Sequence, residues 1–109
     1  MTNELNINYF YSDSGMELGG VIMMNKSILK LENISKNPNE DFELSEENLE
    51  LLNNENVYGT FHTHPGRDAN LSVIDYLTFK NYPRLYHYII GKNGVKCYKV
   101  QGGILIEKS

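Results

Sequence analysis

Turn-forming residues cut the second half of the chain so often that only strands and one helix fit between them. The breaks are Pro65-Gly66, Pro83, Lys92-Asn93-Gly94 and Gln101-Gly102-Gly103. Proline fixes φ and lacks a backbone donor, and glycine opens left-handed backbone, so regular elements stop at such points. Residues 57–63 are β-branched and aromatic and form an expected strand. Residues 85–90, 95–100 and 104–106 are three closing strands, joined by hairpin turns at 92–94 and 101–103. Residues 72–80 alone read as a helix, opening on Ser72-Val73-Ile74-Asp75 and stopped before Pro83.

The first half is less sharply divided. Residues 5–11 fit a first strand or a short helix, and Ser12-Asp13-Ser14-Gly15 is a turn. Residues 18–24 and 28–34 read as two strands of a hairpin turning at Asn25-Lys26. Leu44, Leu49, Leu51 and Leu52, with Ser45 before Glu47 and Glu50, indicate a short amphipathic helix with acidic residues in its first turn. The resulting expectation is a single α/β (α+β) domain over residues 1–109, a mixed sheet flanked by two or three short helices.

Composition narrows the function. A formal charge of −4 without a Lys/Arg cluster argues against a nucleic-acid partner. Cys97 is the only cysteine, which excludes a disulfide framework and a Cys-rich metal knuckle. The apolar runs are too short for a membrane span, and residues 1–10 do not form a secretory signal, so a cytoplasmic protein is expected.

The chemistry concentrates in Gly59-Thr60-Phe61-His62-Thr63-His64-Pro65. Residues i and i+2 of a strand share a face, so both imidazoles project the same way. Neutral imidazole suits zinc, and a catalytic zinc takes three protein ligands and leaves one position for water. Asp75 fits as the third ligand, because Ser72 and Asp75 at a helix start share a face directed at the strand end. Taken alone, Ser-x-x-Asp is an ordinary helix-capping arrangement, and a His-x-His pair can be two surface residues.

Together, His62-Thr63-His64-Pro65 and Ser72-Val73-Ile74-Asp75, with seven residues between His64 and Ser72, resemble the signature of the JAMM/MPN (JAB-type) zinc metalloproteases. Glu17-Leu18-Gly19-Gly20 is similar to that family's upstream Glu-x-x-Gly, and the likeness spans about residues 15–100. The resemblance implies an MPN-like domain with a curved sheet and one zinc per chain, held by His62, His64 and Asp75. It further implies Glu17 as the general base on a zinc-bound water and Ser72 as the donor to the oxyanion. The chain lacks room for the substrate-gripping insertions of the eukaryotic deubiquitinating members. It looks more like the short bacterial and phage forms, which would place it in the cytoplasm or within a phage particle.

The expected activity is therefore hydrolysis of a peptide or isopeptide bond, the substrate being a peptide or a ubiquitin-like protein, with a partner protein supplying specificity. The alternatives are a phage-tail cell-wall peptidase and a metal-binding scaffold without turnover. A cupin-like oxygenase fails, since Asn56, Asp68 and Ala69 stand where that pattern needs Gly and Glu. Arg67, in the loop beside the site, is a candidate to hold a substrate carbonyl or carboxylate. His87 and Cys97 read as structural, and Glu43, Glu46, Glu47 and Glu50 as a solvated face.

Overall fold

A computed structural model of the protein describes residues 7–108. Its centre is a six-stranded mixed sheet in the order β2-β1-β3-β4-β5-β6. The strands are β1 (Gly19–Met23), β2 (Ile28–Leu31), β3 (Val57–Thr63), β4 (Tyr86–Gly91), β5 (Gly94–Gln101) and β6 (Ile104–Lys108). β3 and β4 pair in parallel, and every other neighbouring pair is antiparallel. The helices are α1 (Glu46–Leu49) and α2 (Val73–Lys80). α2 lies in the crossover that a parallel pair requires.

The α+β class and the hairpin turns agree with the sequence reading. At the β4–β5 turn, Gly91 pairs with Gly94, whose φ is +116°; at the β5–β6 turn, Gly102 and Gly103 have φ +60° and +80°. Most strand ends shift by one or two residues, and three elements differ more. The strand expected over 28–34 ends at Leu31, because Asn33 turns inward and binds backbone groups on both sides of it. The amphipathic helix is α-helical for one turn only, then tightens into a 3-10 turn over Glu50–Asn53. Within 5–11, Ile7–Phe10 is a 3-10 turn, and residues 5 and 6 lie outside the described residues.

The two faces of the sheet carry separate apolar clusters. On one face, Ile7, Ile22, Phe61 and Ile90 pack with Phe10 and Tyr11. On the other, Leu52 of the 3-10 turn packs with Val21, Val57 and Leu85, and Phe79 of α2 packs with Ala69, Ile89 and Tyr98. These two covers leave an opening above β3, and the candidate site lies there. Among the described residues, no helix is long and apolar enough to cross a membrane.

Candidate metal centre

β3 runs straight into the site. His62 pairs with Gly19 of β1 and with Ile89 of β4, and the His64 backbone N–H donates to the Ile90 carbonyl at 2.8 Å. Both imidazoles therefore sit on a backbone restrained from two sides. Both are buried. Phe42 stacks on the His62 ring, with centroids 6.2 Å apart, and Phe79 meets it edge-on at 6.1 Å. His64 Nδ1–H donates to the Asp68 carbonyl at 3.0 Å, since a carbonyl can only accept. That bond assigns the free lone pair of His64 to Nε2.

Asp75 comes from the first turn of α2. Ser72 caps this helix in a reciprocal box: its Oγ accepts from the Asp75 N–H at 3.0 Å, and Asp75 Oδ2 accepts from the Ser72 N–H at 3.1 Å. The box aims the carboxylate back at β3. Oδ1 lies 2.9 Å from His62 Nε2, and Oδ2 lies 3.2 Å from His64 Nε2. The first approach is not aligned as a hydrogen bond, because buried His62 Nε2 makes none among the described residues. The second sets a lone pair against a carboxylate oxygen. Such an arrangement is stable only with a proton or a cation between the two atoms.

Glu17 approaches the same pair from the other side. The N–H of Leu18 donates to Thr63 Oγ1 at 2.9 Å, and the N–H of Thr63 donates to the Leu18 carbonyl at 2.8 Å, fastening this segment to the end of β3. Asn33 Nδ2 donates to the Glu17 carbonyl at 3.0 Å. The Glu17 side chain is 2% exposed, and Arg67 Nη2 meets its Oε2 at 2.6 Å. Glu17, His62 and His64 each offer a ligand atom, and these atoms lie within 4.8 Å of one another. This buried group could hold a metal ion. Asp75, in contact with both imidazoles, stands at its edge.

The charges are coupled. Burial alone would raise the Asp75 carboxyl, but the imidazoles of His62 and His64 and the Ser72 N–H hold it far below the usual carboxylate range. Burial opposes charge on His64; the Asp75 carboxylate and the Asp68 carbonyl outweigh it and raise that imidazole. Burial raises Glu17, with His62 and Arg67 pulling the other way. Buried imidazoles and carboxylates are ligand types that could hold a metal ion.

Every residue marked in the sequence analysis for this chemistry gathers here: Glu17, His62, His64, Arg67, Ser72 and Asp75. Arg67 reaches the site through Glu17, a contact the sequence did not suggest. Asn33, Phe42, Phe79 and the Asp68 carbonyl were also missed as supports of the site; nothing in their local sequence sets them apart. His87 is buried on the same face, within hydrogen-bond reach of Thr60 Oγ1 at 2.8 Å and the Tyr82 carbonyl at 3.1 Å. Cys97 is half-buried, its thiol raised by burial. It pairs with Tyr88 and, through it, with Phe61, whose side chain faces away from the imidazoles.

No family model and no curated protein match the chain. Among solved structures it is similar to the solution structure of protein DSY2949 from Desulfitobacterium hafniense, with a TM-score of 0.59 and 21% identity. The match covers 86% of this chain and 76% of that one. At this identity the likeness shows the fold alone.

Proposed function

We propose that this protein is a zinc-dependent hydrolase of peptide or isopeptide bonds, with the ion held by His62, His64 and Asp75. The observation that carries the reading is the buried Nε2 of His62, which makes no hydrogen bond among the described residues and faces a carboxylate that already lies against the second imidazole. The resemblance to the JAMM/MPN metalloproteases supports the same assignment. Zinc at such a site polarises a carbonyl and brings the pKa of a bound water down to about 7.

The chain's own residues supply the proton handling. Glu17, buried beside the imidazoles, accepts the proton of the attacking water and returns it to the departing amine. Arg67 orients the Glu17 carboxylate through its 2.6 Å contact and favours its charged form. Ser72 Oγ spends a lone pair on the Asp75 N–H, which leaves its O–H free to donate to the oxyanion. Its substrates are peptides or the tails of ubiquitin-like proteins, and a partner protein supplies the grip that an isolated domain of this size lacks.

Metal analysis combined with hydrolysis assays tests the proposal. Wild type should carry one zinc per chain, and the His62→Ala, His64→Ala double variant should carry none. Glu17→Gln should keep the zinc while turnover falls about 10²–10⁴-fold. Loss of zinc in Glu17→Gln would make Glu17 a ligand. Full activity in that variant would remove Glu17 from the mechanism. Zinc-loaded wild type that cleaves no peptide or modifier would leave a metal-binding scaffold.

A further inference from the structure

The opening above β3 deepens into a cavity of about 410 Å³. Its position follows from the fold. Among the described residues, α2 packs over β4 to β6 on this face and the segment 41–52 packs over β1 and the start of β3, and the cavity lies between these two covers. Its lining includes His62 and Asp75 of the candidate site, with Phe42. One wall comes from Leu44, Leu49 and Leu52, and the other from Ile74 and Phe79 on α2. Thr60 and His87 form the floor.

The volume lies within the range of about 300–1,000 Å³ common to small-molecule sites and would hold about a dozen waters. The lining is more apolar than polar, with Ser35, Thr78, Asn81 and Tyr82 adding neutral polar groups to the leucine, isoleucine and phenylalanine walls. The two polar groups on the floor are spent on each other. The Tyr82 carbonyl fixes a proton on His87 Nε2, so His87 Nδ1 accepts from the Thr60 hydroxyl at 2.8 Å. The floor thus offers neither a charge nor an unpaired acceptor to the tip of a lysine or arginine. Asp41 and Glu43 are the other acidic groups on the lining, and they belong to the segment over β1, not to the floor.

We propose that this cavity is a specificity pocket, which selects substrates carrying a large apolar side chain, aromatic or branched aliphatic, next to the bond that is cleaved. The inference rests on the hydrolase reading and adds the substrate class. A glycine at that place, as in a di-glycine modifier tail, would leave the pocket full of water. A phenylalanine would expel that water, and burial of such a side chain corresponds to a preference of about 10–100-fold.

Binding and turnover test the pocket separately. N-acetyl-L-phenylalaninamide and N-acetylglycinamide are titrated into the purified chain, first with a chelator and then with zinc, while the methyl NMR signals of Leu44, Leu49, Leu52 and Ile74 are followed. The phenylalanine probe should shift these methyls in both states and bind at least about 10-fold more tightly than the glycine probe. Thr78→Trp, from the exposed side of α2, and Leu44→Trp, from the opposite wall, should each abolish those shifts. Equal binding of the two probes, or shifts away from these methyls, would overturn the pocket. In the second arm, zinc-loaded protein is given paired peptides with Phe or Gly on either side of one scissile bond. A kcat/KM about 10–100-fold higher for one Phe position supports the proposal. Equal cleavage of Phe and Gly peptides would refute it and leave the hydrolase reading intact. Seating of the probe without cleavage of any peptide would refute the hydrolase reading and keep the pocket.

Discussion

Acidification should strip stability from this fold through His87, and the size of the effect follows from its surroundings. The ring is 1% exposed, stacks on Phe79 at 4.2 Å, and has both nitrogens matched to neutral partners. Burial is the main cause that lowers its pKa from 6.5 to about 4; the Tyr82 carbonyl opposes the drop, and the nearby His62 and Lys99 add to it. The unfolded chain takes up its proton near pH 6.5, but the folded chain does so only near pH 4. Stability contributed by neutral His87 is therefore present above 6.5 and lost as pH falls through that window, levelling off below 4. Each tenfold step is worth 1.36 kcal/mol, so the loss between pH 7 and pH 4 is about 3 kcal/mol. His87→Gln removes the titrating group. The gap in unfolding free energy between wild type and this variant should shrink by about 3 kcal/mol across that range, or roughly 10–20 °C in Tm. Urea denaturation at pH 7, 6, 5 and 4 with a chelator present measures it, and the difference cancels the titration of Asp75, Glu17 and His64. Parallel curves for the two proteins, or an imidazole NMR titration near 6.5 for His87, would refute the argument.

Three further outcomes are expected. Ser72→Ala removes the cap of α2 and should cost about 0.5–2 kcal/mol in metal-free denaturation. Arg67→Gln should destabilise the protein by about 1–3 kcal/mol, because it leaves the buried Glu17 carboxylate unpaired. That figure is reduced for the 44% exposure of Arg67. The double variant with Glu17→Gln should recover most of the loss, and a double-mutant cycle that is additive would rule out the coupling. Gly91→Ala should cost about 1–3 kcal/mol or more, read as a fall in Tm, because the added methyl would fall on the Ala69 backbone nitrogen.

Much of the site was legible because its information is local. β3 coincides with the expected 57–63, and its alternation alone puts His62 and His64 on one face. The Ser72-x-x-Asp75 spacing states both the helix start and the direction of the carboxylate. What could not be read depends on contacts between distant segments. The Arg67–Glu17 pair joins residues fifty positions apart. Asn33 gathers the carbonyls of Glu17, Pro38 and Asp41, which bends the chain away after Leu31. No periodicity in 28–34 records that competition between a side-chain amide and a strand ladder. The cavity is the least legible feature, because it is defined by where two covers fail to meet.

The parallel pairing of β3 with β4 also bears on when the site can exist. The β1–β2, β4–β5 and β5–β6 hairpins close over short stretches, and such local contacts form early. The seams that flank β3 require two long excursions, one through α1 and one through α2. Glu17 lies across the first seam from the imidazoles, and Asp75 hangs from the excursion that closes the second. The candidate ligands therefore come together only when both long excursions have closed. A half-folded molecule would present isolated histidines without their carboxylates, a poor trap for a metal ion. An ion bound in the closed fold would tie both seams together.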